Sequence, residues 1–258
     1  MASLFEKVLA AQGMLGRADR VDLWFVPSEV GLNDRDQFWQ LLSNVEKQRA
    51  LSFKLDRDRG RFIASHGVLR LILAAYCRQS AKALDFSTGP QGKPALTNPA
   101  ARIAFNLSHA AGFALIGVSC GSACGVDIEE IRSRVSTTEI AGRFFAETEN
   151  RWLDSLSPDQ RLKGFFRLWT IKEAMIKAMG SGLSTPLNDL DAAHIVQNGA
   201  GSVTVNANGK ETVLWISELD LAGGLAGAVA VEGREHVVRI IGPPLIHSLS
   251  NSRPSMTL

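Results

Sequence analysis

The sequence predicts an α+β fold of two similar lobes related by a pseudo-twofold, each a long helix packed on a small antiparallel sheet. Three features predict it. A long helical pattern occurs once in each half, at 61–78 and at 165–179. Each is followed by short apolar runs of strand length with turn signals between them, the mark of antiparallel strands. The halves therefore match coarsely, without a letter-for-letter repeat, and each offers a helix and a sheet that can bury one another. The expected organisation is an N-terminal lobe over 1–120, a C-terminal lobe over 121–242 and a Pro- and Ser-rich tail over 243–258.

Taken in order, Val21–Val26 (VDLWFV) is branched and aromatic and is closed by Pro27, which predicts a strand. Residues 34–51 carry the scattered apolar positions of a helix. In 61–78, Phe62, Leu69, Leu73 and Tyr76 sit among helix formers as an amphipathic helix. The density of glycine and proline in 87–99 makes it a loop. Runs 103–107 and 113–118 flank SerHisAlaAlaGly as a hairpin, and 124–128 follows the Gly121 turn as a third strand. Helices are expected at 137–145 and 148–156, and the helix at 165–179 stops at Gly180 and Gly182. Strands 202–206, 212–219 and 225–232 form a meander joined by AsnGly and GlyGly turns.

At 258 residues with 45% hydrophobic and 21% charged residues, the chain has the make-up of a soluble globular protein. A formal charge of +2 is too small to imply nucleic acid or membrane as a partner. Cys77, Cys120 and Cys124 include no CxxC pair and are odd in number, so reduced, buried thiols are expected. With neither a basic leader before an apolar core nor an apolar run of ~18 residues, a cytoplasmic location is expected.

Three segments carry chemistry. In GlyValAspIleGlu, 125–129, side chains alternate across the strand, so Asp127 and Glu129 share a face. Positions two apart advance ~6.6 Å, a span the longer glutamate can close to reach one cation. Magnesium suits one or two carboxylates completed by waters and phosphate oxygens. The same pair would equally serve as the wet face of a half-buried strand, and Glu130 points the other way. In TrpThrIleLysGluAlaMetIleLysAla, 169–178, Ile171, Met175 and Ala178 form the apolar face, with Glu173 and Lys177 opposite at i,i+4. By itself that pair reads equally as a solvent ion pair. GlyLysPro (92–94) and PheAsnLeuSerHis (105–109) add Lys93, Ser108 and His109, donors of the kind phosphate oxygens need. Lys47, Arg49, Arg57 and Arg61 add positive charge, as solvated helix faces commonly do.

In order and spacing, these four motifs resemble those of the long, Sfp-type 4'-phosphopantetheinyl transferases, over about residues 45–190. The resemblance implies two α+β lobes in one chain with coenzyme A in the cleft between them. It implies transfer of the phosphopantetheine group to a serine of an acyl or peptidyl carrier protein, with release of 3',5'-ADP. By the same resemblance Asp127, Glu129 and Glu173 hold Mg²⁺, or alternatively Mn²⁺. Lys177 contacts the coenzyme A phosphates, Glu173 doubles as base, Ser108 and His109 meet the 3'-phosphate, and Lys93 lies near the nucleotide. Arg61 and Arg49 join the coenzyme A set. A monomer is expected.

The chain departs from the family pattern at Thr170, Ala110 and Glu46, where Ser or Cys, Ser, and Lys are found in relatives. The competing readings are a noncatalytic module binding carrier or coenzyme A, and a metal-dependent phosphohydrolase. Carrier proteins are acidic, so a basic apolar patch is expected near the cleft, with Arg143, Phe144 and Phe145 as candidates.

Overall fold

The computed structural model describes residues 17–89, 91–97, 102–133, 136–182, 185–207 and 210–242. The first half holds β1 (Arg20–Pro27), α1 (Leu32–Leu41), α2 (Asn44–Leu51), α3 (Asp56–Cys77), β2 (Phe86–Thr88), β3 (Pro94–Leu96), β4 (Ile103–Ala110) and β5 (Phe113–Cys120). The second holds β6 (Cys124–Glu130), α4 (Thr137–Phe144), α5 (Glu147–Ser155), α6 (Pro158–Met179), α7 (Ala193–Asn198), β7 (Ala200–Ala207), β8 (Lys210–Leu219), β9 (Leu225–Glu232) and β10 (Val237–Ile241).

Two four-stranded sheets result, in the orders β10-β1-β5-β4 and β6-β9-β8-β7. Alternation along β1 shows how they stack. Trp24 and Val26 face a core shared with α1 and α3, whereas Val21, Leu23 and Phe25 face a second core completed by Val126, Ile128, Trp215 and Val229 of the other sheet. The far face of that second sheet packs on α6 through Ala226, Ala228, Ala230, Ile171 and Met175. The molecule is thus helix, sheet, sheet, helix, the α+β arrangement that apolar faces on two sheets and two long helices require.

Several boundaries differ from the sequence reading, each for a local reason. The helix expected over 34–51 divides because Leu42 is extended and Ser43 starts a new helix. Ser43 Oγ accepts from Glu46 N–H at 3.2 Å, and the Glu46 carboxylate accepts from Ser43 N–H at 2.8 Å, a reciprocal capping box. Glu46 is thereby committed to the helix cap, its carboxylate also pairing with Arg70 at 2.7 Å. Helix α3 begins at Asp56, with Asp56 and Asp58 in its first turn against the positive end of the helix dipole. Helix α6 begins at Pro158, where a missing N–H costs nothing. The 87–99 loop holds the short pair β2 and β3.

Strand β10 was not anticipated. It pairs parallel with β1, from Arg20↔Val237 to Trp24↔Ile241, so the last described strand joins the sheet built from the N-terminal half. Asp22 anchors it, accepting from Arg239 Nε at 2.8 Å and from the Tyr76 hydroxyl at 2.6 Å. The proposed tail, 243–258, lies outside the described residues. The three cysteines are free, Cys124 buried and Cys77 and Cys120 half-buried. Burial pushes the Cys124 thiol up to about 12, so it stays protonated. Among the described residues no helix is long and apolar enough to cross a membrane.

Candidate active site

Strand β6 is an edge strand, as is β4 in its own sheet, and the two meet where the sheets adjoin. The outward N–H of Val126 would be unpaired there, but the Asn106 side-chain oxygen accepts from it at 2.9 Å. Cys124, Val126 and Ile128 point into the inter-sheet core, so Gly125, Asp127 and Glu129 face α6. Gly125 makes the approach possible: a Cβ there would lie 2.1 Å from the Ala174 carbonyl oxygen and 2.3 Å from Ala178 N. With strand and helix backbones in direct contact, Asp127 reaches the side chains of α6.

Helix α6 buries Ile171, Ala174, Met175 and Ala178 and turns Trp169, Glu173 and Lys177 toward the cleft. Lys177 Nζ donates to Asp127 Oδ1 at 2.6 Å and to Ser108 Oγ at 3.1 Å, and Ser108 Oγ donates to Asp127 Oδ1 at 2.8 Å. Leu107, Ser108, His109, Asp127, Glu129, Trp169, Glu173 and Lys177 together line an open cleft of ≈ 350 Å³. Side chains from β4, β6 and α6 therefore converge from three elements and from both sheets. A larger cavity of ≈ 720 Å³ uses the opposite face of α6, at Gln160, Lys163 and Arg167, and contains none of these acids.

The cleft strains its acids electrostatically. Burial raises the pKa of Asp127 despite the nearby Lys177 ammonium and the Ser108 hydroxyl. Glu129 and Glu173 are raised by burial and then by the Asp127 charge. A cation among them would relieve both effects. The donors are hard oxygens, and Asp127 Oδ2 is buried with no hydrogen-bond partner, so the set fits Mg²⁺ or Mn²⁺. Among the described residues, no three His, Cys, Asp or Glu side chains already form a metal cage. Packing around the His109 ring, then the charges of His66 and Lys177, hold its imidazole below the ordinary value.

The other predicted residues lie around this centre. Arg61 and His109 line a smaller pocket of ≈ 120 Å³ with Phe53, Phe62 and Ser65, and the Arg61 guanidinium pairs with Glu29. Arg49 is exposed, its guanidinium 5.4 Å from the Phe53 ring centroid. Lys93 Nζ is bound by the backbone carbonyls of Cys124, Lys177 and Ala178. Phe145 is a core residue, 4% exposed and stacked on Phe165, while Arg143 is exposed beside half-buried Phe144. Thr170 is buried and donates to the Arg167 carbonyl within the helix, so it adds nothing to the cleft. Leu107, Trp169 and Asn106 were not singled out from the sequence. Asn106 belongs to the PheAsnLeuSerHis motif, but its role depends on the neighbouring edge strand, which local sequence does not show.

Residues 123–231 match the model described as the 4'-phosphopantetheinyl transferase superfamily, and residues 32–120 match one described as 4'-phosphopantetheinyl transferase, N-terminal. The chain is 36% identical over 169 residues to the 4'-phosphopantetheinyl transferase HetI of Nostoc sp., covering 65% of this chain and 71% of that protein. It is 33% identical to the transferase gsp of Aneurinibacillus migulanus, over 73% of this chain and 76% of that one. Identity to the transferase Sfp of Bacillus subtilis is 26%, over 76% and 84% of the two chains. The chain belongs to the 4'-phosphopantetheinyl transferase superfamily, in its long, Sfp-type form, and is an enzyme of that class.

Proposed function

We propose that this enzyme moves the 4'-phosphopantetheine group of coenzyme A onto a serine hydroxyl of an apo acyl or peptidyl carrier protein and releases 3',5'-ADP. The observation that carries this reading is the convergence of Asp127, Glu129, Glu173, Lys177 and Ser108 in one cleft between β4, β6 and α6. In the reaction the carrier serine oxygen forms a bond to the phosphorus bearing pantetheine, the pyrophosphate bond breaks, and the electron pair leaves on 3',5'-ADP. Asp127, Glu129 and Glu173 would hold Mg²⁺ or Mn²⁺. Such an ion neutralises phosphate oxygens as charge develops on them.

Lys177 already points its ammonium into the cleft and supplies positive charge for the same oxygens. Glu173 is the base for the serine proton, since burial and the Asp127 charge raise its pKa toward that task. Ser108, His109, Arg61 and Arg49 are proposed to receive the 3'-phosphate end of coenzyme A. Exposed Arg143, its guanidinium 5.1 Å from the Phe144 ring centroid, is proposed to meet the acidic carrier. Phe144 in turn touches Trp169 of the cleft, 6.4 Å between ring centroids. We further propose a cytoplasmic monomer whose two lobes meet near Gly121.

The test is incubation with coenzyme A, Mg²⁺ and a panel of apo carrier proteins, followed by intact carrier mass, with Asp127→Ala as control. A phosphopantetheine-sized gain that the variant loses is expected. Coenzyme A binding without any gain would favour a noncatalytic module, and free phosphopantetheine formed without carrier would favour a hydrolase.

A further inference from the structure

The last turn of α6 ends at Met179, and Gly180 closes it in the left-handed conformation, φ 64, with its N–H on the Ile176 carbonyl at 2.9 Å. A helix leaves its final carbonyls without donors from the helix itself. Two of them, at Lys177 and Ala178, receive a side chain from the other half of the chain. Lys93 Nζ donates to the Lys177 carbonyl, to the Ala178 carbonyl at 3.1 Å and to the Cys124 carbonyl of β6 at 2.9 Å. An ammonium has three protons, and these bonds use all of them. A cation at a helix C-terminus is also favoured by the dipole.

The backbone and stem of Lys93 are also placed by their surroundings. Lys93 leaves the β2–β3 pair from a tight loop, in which Gly89 N–H donates to the Lys93 carbonyl and Gly92 N–H to the Gly89 carbonyl, each at 2.9 Å. A Cβ on Gly180 would lie 3.3 Å from Lys93 Cδ. The carbonyls it gathers lie on the seam where β6 rests on α6: Cys124 precedes Gly125, which touches the helix backbone, and Lys177 carries the ammonium that pairs with Asp127. A slide of α6 along β6 by one residue, ~1.5 Å, would move Lys177 and Glu173 together out of the register in which Lys177 Nζ meets Asp127 Oδ1 at 2.6 Å.

We infer that Lys93 is a positioning residue for the transfer reaction, its ammonium tying Cys124, Lys177 and Ala178 together so that Lys177 and Glu173 stay in register with Asp127, and touching no part of coenzyme A. This rests on the transferase reading above and reassigns the charge of the GlyLysPro motif from ligand contact to the join between catalytic strand and catalytic helix.

Lys93→Met keeps the stem and removes all three bonds. Its kcat at saturating coenzyme A should fall by about tenfold or more, with KM for coenzyme A changed by less than about threefold. Lys93→Arg, which still donates to carbonyls, should recover part of that loss. A raised KM with kcat retained would overturn the inference, and so would a lowered Tm with unchanged kcat. If Lys93→Met does not fold, the wild-type protein decides. With ¹⁵N-labelled lysine, assigned through Lys93→Arg, the Lys93 ammonium signal should exchange slowly and hold its position when 3',5'-ADP is added. Fast exchange, or a shift on adding 3',5'-ADP, would overturn the clamp. This readout needs no turnover, so absence of transfer by the wild-type protein would count against the transferase reading alone.

Discussion

Lys177 Nζ stands 2.6 Å from Asp127 Oδ1, while Asp127 Oδ2 is buried without a hydrogen-bond partner. One carboxylate thus has one oxygen committed to its own protein and one left for a cation. Glu173 lies one helical turn before Lys177 on the same cleft wall, and burial followed by the Asp127 charge raises its pKa. Glu173→Gln keeps the shape and removes the base. We expect carrier modification to fall by about a hundredfold or more while coenzyme A binding persists, as general-base loss requires. Wild-type turnover, read by carrier mass over time, would sink the assignment.

A second, buried pair ties the catalytic helix to its neighbours. Glu149 and Lys172 meet at 2.7 Å with neither side chain exposed. Lys172 also donates to the Leu187 and Leu190 carbonyls at 2.7 and 2.6 Å, and Glu149 accepts from the Ala146 and Ala192 N–H groups at 2.7 and 2.9 Å. Removing one partner strands a buried charge, so Glu149→Gln or Lys172→Met should each cost about 3–5 kcal/mol in urea unfolding. The double variant should cost less than the sum, because neither charge is then left alone.

Acid should loosen the N-terminal half through Glu46. Burial pushes its carboxyl up, but His66, the Ser43 N–H and Arg70 outweigh burial and hold it down at about 2, against an ordinary 4.5. The folded state therefore binds fewer protons than the unfolded one between those values. The stability this confers is present above about pH 4.5 and lost as pH falls through about 2, amounting to about 3 kcal/mol. Glu46→Gln should flatten that part of the stability–pH curve, measured by urea unfolding at stepped pH. An unchanged slope would refute it.

Arg143 tests the carrier surface. Its guanidinium is exposed and lies over Phe144, next to Trp169 of the cleft. Arg143→Glu should raise KM for an acidic carrier by about tenfold, with coenzyme A binding unchanged and the effect shrinking at high salt. Carrier affinity equal to wild type would remove this residue from the docking surface.

Much of the site was legible because its spacing is local. Asp127 and Glu129 fall on one face by strand alternation, and Glu173 and Lys177 on one side by helical periodicity, whatever the rest of the chain does. The helix joint at Ser43 was also written locally, as a capping box within three residues, yet the helical pattern read over 34–51 runs across it and masks the start of α2. Strand β10 was missed for the opposite reason. Val237–Ile241 is a half-exposed edge strand with an arginine at its centre, and its partner lies more than two hundred residues away in β1.

The amino-acid order by itself determined the α+β class, the two long helices, the faces on which the acids stand and the family motifs that name the chemistry. Only the tertiary structure decided what those residues meet: that Gly125 lets β6 rest on the α6 backbone, that Asn106 closes an edge strand, that Phe145 belongs to the core, and that Lys93 binds carbonyls of the catalytic helix. Periodicity fixes the direction of a side chain relative to its own element. Its partners depend on how sheets and helices pack, which is set by burial summed over the whole chain and is written in no single segment.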